Sequence, residues 1–203
     1  YSASKAAAEI AIASWRNSFC GNNKFQTQLL SIATARAGNV IGGGDWAKDR
    51  IIPDCIRSWS NHQPVIIRNQ FSTRPWQHVL EPLGGYLQLG MMMYLDDIGV
   101  GESYNFGPSS DTNLTVGEVV NKLSNMWGEN SQIVCKSKKE SNNESKLLKL
   151  SCDKANIQLN WNPRIPVNEA IEMTSKWYWE YVYNKSNIVS ITDSQINRIS
   201  STY

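Results

Sequence analysis

Tyr1 and Lys5 stand four residues apart at the head of an alanine-rich stretch, YSASKAAAEIAIASWRNSF. On a helix, positions i and i+4 lie one above the other, so the phenol and the ammonium share a face. A free tyrosine titrates near pH ~10 and is a poor base at neutrality. A neighbouring cation favours the phenolate, and lowering the pKa by about three units corresponds to ~4 kcal/mol of preferential stabilisation. A pair so tuned can take a proton from a substrate hydroxyl. An exposed pair at this spacing otherwise adds only about 0.2–0.5 kcal/mol to a helix, so the chemistry depends on the elements around it.

Those elements alternate. A helix is predicted from Ser2 to about Asn17, closed by the turn signal Gly21-Asn22-Asn23. The apolar run from Leu29 to Ala37 reads as a buried strand. The loop GNVIGGGDWAKDR follows, then a helix from about Ile52 to Trp59 and a strand in PVIIR. EPLGGYLQLGMMMYL reads as a helix capped near Asp96-Asp97, and ESYNFG as another strand. Thr115 and Glu118 have capping-box spacing for a helix running to Trp127. KSKKESNNESK reads as a solvated loop, and VNEAIEMTSKWYWEYVY as a helix whose aromatics pack in a core or an interface. The alternation implies an α/β fold with a partly parallel sheet. No strand leads into a G-x-G-x-x-G turn, and Gly42-Gly43-Gly44 reads as a flexible bend.

Composition bounds the rest. With 203 residues, 41% hydrophobic and 19% charged, the chain can bury one or two cores. Twenty basic and 18 acidic residues give a formal charge of +2, too even a balance for nucleic-acid binding. Cys20, Cys55, Cys135 and Cys152 form no C-x-x-C pair, so free thiols are expected rather than disulfides or a metal site. No run approaches a membrane span, and cytoplasm is the expected location.

YSASK with its helix, ARAGNVIGGGDW, RIIP, PVIIRN, RPWQHVLEPLGGYL and YNFGP, in that order, resemble the C-terminal part of an extended short-chain dehydrogenase/reductase. Within that superfamily the strings GNVIGGGDW and RPWQHVLEPL most resemble the CDP-glucose 4,6-dehydratases. The resemblance implies that the chain begins at the catalytic tyrosine of a longer protein. Residues 1–45 would then be the remainder of an NAD-binding Rossmann domain, and 46–183 mainly a nucleotide-sugar-binding domain. Segments around 76–106 would return to the Rossmann sheet, and 184–203 would form a tail.

The implied activity oxidises a nucleotide sugar at C4 with NAD, eliminates water across C5 and C6, and returns the hydride to C6. Tyr1 would be the base, and Lys5 would stabilise its phenolate and hydrogen-bond the nicotinamide ribose. Val40 would offer backbone on the nicotinamide side. Asn39 would meet the substrate, while Arg50, Ile51, Val65, Ile66 and Ile67 would surround the nucleotide. Arg74 would grip the pyrophosphate, for which a planar guanidinium suits two-point contact, and Asn105 is a further substrate candidate. Lys146 and Lys149 stand where related dehydratases place an arginine and are left unassigned. The resemblance also implies a homodimer through the helix bearing Tyr1 and Lys5, with a nucleotide sugar as small-molecule partner and no metal, nucleic acid or membrane. A sibling epimerase or reductase would share the Tyr-Lys pair, and a non-catalytic nucleotide-sugar-binding remnant is the reading from another class.

Overall fold

A computed structural model describes residues 2–20, 30–95, 98, 100–109, 114–136 and 150–201. Seven helices and eight short strands occur among them. The chain begins with α1 (Ser2–Phe19), followed by β1 (Thr34–Ala37), β2 (Val40–Ile41) and α2 (Ile51–Ser60). Three more strands, β3 (Val65–Ile67), β4 (Thr73–Arg74) and β5 (Gln77–His78), lead into α3 (Leu80–Leu95). Then come β6 (Ser103–Phe106), β7 (Leu114–Thr115), α4 (Val116–Trp127) and β8 (Ile133–Cys135). The chain closes with α5 (Asp153–Leu159), α6 (Val167–Tyr183), a short 3-10 turn and α7 (Ile188–Ser200).

Strands pair across long connections. β1 lies parallel to β6, with Thr34 opposite Ser103 and Ala37 opposite Phe106. β2 is parallel to β5, and β3 to β8. Only β4 and β7 run antiparallel. Parallel pairs need crossovers, and α3 lies in the long connection from β1 to β6. It can lie against β6 because Gly85 has no side chain: a Cβ there would stand 2.3 Å from Phe106 Cδ1. The larger core packs Trp59 of α2, Val65 and Ile67 of β3, Leu123 of α4 and Tyr178 of α6. A smaller one gathers Tyr104 and Phe106 of β6 with Leu159 and Trp161.

The capping box is present as read: Glu118 N–H donates to Thr115 Oγ1 at 3.2 Å, and Thr115 N–H donates to the Glu118 carboxylate at 2.7 Å. The first strand differs from expectation. Pairing covers only Thr34 to Ala37, because β6 has four residues to offer, and Thr34 alone of the four is buried. The turn at 21–23, the cap at 96–97 and residues 137–146 of the polar run lie outside the described residues. Beyond Tyr183 the chain forms α7, which buries Ile191 and Ile199. No helix among the described residues is long and apolar enough to cross a membrane.

Candidate active site

The C-terminal end of β1 feeds Asn39, β2 and the glycine triplet. β2 is held on β5 by Gln77 N–H donating to the Asn39 carbonyl at 3.2 Å and Val79 N–H donating to the Ile41 carbonyl at 2.8 Å. Beside this edge lies a groove of about 230 Å³, walled by Val40, Ile41, Gly42, Gly43 and Val79, with Asp45 and Arg50 at its rim. Its floor is bare backbone for a steric reason. A Cβ on Gly42 would lie 2.6 Å from Val79 Cγ1, and one on Gly43 would lie 2.0 Å from Trp177 Cδ2. Gly44 has φ +86, a left-handed conformation that favours glycine. The triplet expected as a flexible bend is therefore a close-packed corner.

The loop beyond it is tied down. Tyr178 Oη donates to the Asp45 carbonyl at 2.6 Å, and Arg57 donates to the carbonyls of Trp46 at 2.8 Å and Ala47 at 3.2 Å. Asp45 Oδ1 accepts from Ala47 N–H at 2.9 Å, while its Oδ2 stands 3.7 Å from Arg50 Nε. Arg50 precedes α2 as an N-cap without a side-chain cap bond. The first-turn N–H groups of Ile51 and Ile52 thus start a helix whose positive end sits beside the Arg50 guanidinium. This rim combines cationic and carboxylate groups over an apolar floor.

The groove brings together two of the expected residues, Val40 and Arg50, with Asn39 and Ile51 as their chain neighbours. The others lie elsewhere. Arg74 is half-buried on β4, donating from Nη1 to the Thr73 carbonyl at 2.8 Å. Asn105 on β6 accepts from Arg36 Nη1 at 3.3 Å and donates to the Ser151 carbonyl at 3.1 Å. Val65 and Ile67 are core residues at 2% and 3% exposure, and Ile66 faces outward at 50%. Lys5 lies on exposed α1; Tyr1, Lys146 and Lys149 are outside the described residues.

Two buried titratable groups stand at the end of β2's partner strand and just after it, and the first of them lies behind Gly42. His78 is 1% exposed, and burial pushes its ring down to about 4, so it is neutral. Its Nδ1 accepts from Leu80 N–H at 3.4 Å, which leaves the proton on Nε2, 3.8 Å from the place of a Gly42 Cβ. Glu81, also 1% exposed, accepts from the backbone N–H groups of Arg164, at 2.6 Å, and Ile165; burial raises its pKa against those bonds. Sequence reading passed over Asp45, whose only signal was its place beside the glycines.

A curated CDP-glucose 4,6-dehydratase of Salmonella typhimurium is 42% identical over 189 residues, 93% of this chain and 52% of that protein. The chain is similar to a CDP-glucose 4,6-dehydratase. It spans about half the length of that relative. No family model matches the chain. Among solved structures, UDP-glucose 4-epimerase of Thermotoga maritima with UDP-glucose aligns with TM-score 0.70 at 18% identity, over 90% of this chain and 54% of that one. The dTDP-glucose 4,6-dehydratase of Bacillus anthracis, in complex with NAD, aligns with TM-score 0.64 at 17% identity, over 94% and 54%. At such identities the likeness is one of fold. It bears out the Rossmann-type α/β class.

Proposed function

We propose that this chain carries the Tyr-Lys pair and much of the substrate site of an NAD-dependent CDP-glucose 4,6-dehydratase, converting CDP-D-glucose to CDP-4-dehydro-6-deoxy-D-glucose. The observation that carries the reading is the 42% identity over 93% of the chain to an enzyme of that name. The groove supports it. Its Gly42-Gly43 floor, where any Cβ would collide, leaves an apolar wall against which a flat ring can lie beside Val40. That wall fits the nicotinamide end of NAD, while the chain holds no G-x-G-x-x-G turn for its pyrophosphate.

NAD, when bound, supplies the hydride acceptor for oxidation at C4 and the donor at C6. Tyr1 takes the proton of the C4 hydroxyl, and Lys5 holds the phenolate charged beforehand. Asn39 binds and orients the sugar, and Arg50 and Ile51 lie against the nucleotide at the uncapped start of α2, which favours negative charge. Arg74 holds the pyrophosphate by two-point contact, Asn105 contacts the sugar, and the nucleotide lies along the backbone of Val65 to Ile67 beside the outward-facing Ile66.

A homodimer through α1 belongs to the same reading. That helix buries no side chain, and Ile10, Trp15 and Phe19 are 71%, 55% and 65% exposed.

The test is Tyr1→Phe in the full-length protein with CDP-glucose and NAD. Formation of the 4-keto-6-deoxy product should stop, while calorimetric affinity for CDP-glucose stays within about twofold, because only the ionisable oxygen is removed. Product formation at the wild-type rate in that variant would overturn the assignment.

A further inference from the structure

The direction of α1 can be read from its side-chain ties. Residues 101 and 102 flank the start of β1, through Gly101 N–H to the Ile32 carbonyl at 2.8 Å and Thr34 N–H to the Glu102 carbonyl at 2.9 Å. Arg16, late in α1, stands at that level, its Cδ 3.8 Å from the place of a Gly101 Cβ. Glu9, earlier in the helix, meets residues further along the strand: Arg36 Nε donates to its Oε1 at 2.6 Å, and Thr34 Oγ1 reaches its Oε2 at 3.2 Å. The helix therefore runs antiparallel to β1, and its start points toward the strand's C-terminal end.

Helix and strand rise set the level of Lys5. Lys5 lies four residues before Glu9, about 6 Å along the helix axis. From Arg36, two residues of extended chain advance about 6.6 Å, to Gly38. Asn39 and Val40 come next, so the Lys5 face of α1 approaches the groove just where β1 ends. Lys5 and Glu9 are i and i+4, on one stripe of the helix.

α1 buries no side chain fully; Glu9, Ile12, Ala13 and Arg16 form its half-buried face, and of these only Ile12 and Ala13 are apolar. Glu9 adds to that thin packing a tie of defined charge and geometry. Its partner Arg36 continues the tie: Nη1 donates to Asn105 Oδ1 at 3.3 Å, and Asn105 Nδ2 donates to the Ser151 carbonyl at 3.1 Å. Thr34 Oγ1 also lies 2.8 Å from Ser103 Oγ. One chain of polar side chains thus crosses from α1 through β1 to β6.

We propose that Glu9 is a positioning residue for the reaction, acting through Arg36 to set how the Lys5 face of α1 meets the groove and linking it to Asn105. The inference rests on the reading of Tyr1 and Lys5 as the catalytic pair. The Glu9 carboxyl is held below its ordinary range by the Arg36 hydrogen bond, in keeping with a charged tie.

Glu9→Gln and Arg36→Gln in the full-length enzyme test it, with kcat, KM and pH profiles measured beside Tyr1→Phe. A Lys5 turned away stabilises the phenolate less. In both variants the limb on which kcat rises with pH should therefore move up by about one unit, with kcat at pH 7 about fivefold lower and KM within about twofold. A role confined to stability would lower the melting temperature and leave that limb in place. An unmoved limb in Glu9→Gln overturns the proposal, and a shift in Glu9→Gln without one in Arg36→Gln overturns the route through Arg36. A working Tyr1→Phe enzyme would instead remove the catalytic reading itself, so the two failures are distinct.

Discussion

Burial holds the His78 ring neutral down to about pH 4, against an unfolded value near 6.5. The unfolded chain therefore binds a proton that the folded chain refuses over that window, and stability falls as the pH drops from 6.5 toward 4. A difference of this size corresponds to on the order of 3 kcal/mol. Glu81 acts with the opposite sign: its raised pKa means that the folded form takes up its proton first as the pH falls, which offsets part of the loss. Urea midpoints at pH 7 and pH 5 should differ in this chain, and His78→Asn should flatten the difference even though the variant starts less stable. An equal pH slope in both proteins would mean that other groups cause the acid sensitivity. Residues such as these were not legible in the sequence, since nothing in QHVLEP says that the imidazole is sealed under Gly42. Tyr1, Lys5 and Asn39 could be nominated from the sequence because they sit in strings whose order is itself informative.

Gly43 and α6 meet more closely than any side chain allows. The Trp177 indole that fills the space is stacked on Tyr181 at 5.5 Å between centroids, and its Nε1 donates to Thr192 Oγ1 on α7 at 2.9 Å. It cannot retreat cheaply. Gly43→Ala should cost about 1–3 kcal/mol, as overpacking of a closed site does, and should weaken CDP-glucose binding by deforming the groove floor. In a Trp177→Ala background the same substitution should cost far less, and equal costs in a double-mutant cycle of melting curves would refute the contact. Strong periodicity and caps made α2, α3, α4 and α6 readable, Thr115 and Glu118 most directly. The two-residue strands β2, β4, β5 and β7 were invisible, because pairing partners far along the chain create them and two residues show no alternation. α7 hid for a related reason: it follows a helix that already looked terminal, and its fit depends on Ile191 and Ile199 finding a core built elsewhere.

At the scale of the molecule, α3 carries an apolar stripe at every fourth residue. Leu83, Leu87, Met91 and Leu95 are 45%, 77%, 55% and 65% exposed. A run of that length on one helix face favours association between copies of the chain in water. The 203-residue chain should self-associate through α3 at micromolar concentration, and Leu87→Lys with Met91→Lys should lower its association state in sedimentation, leaving no more than the dimer through α1, without lowering its melting point. A wild-type monomer over that range would refute the effect. The same molecule holds Cys55 fully buried in the larger core, its thiol pushed well above the ordinary range, while Cys135 is exposed on β8. These two sulfurs make a stopwatch and its reference. A thiol-specific label should mark Cys135 at once and Cys55 only when the core around α2 opens, so the ratio of their rates counts openings per unit time. Saturating CDP should slow the Cys55 clock and leave Cys135 unchanged.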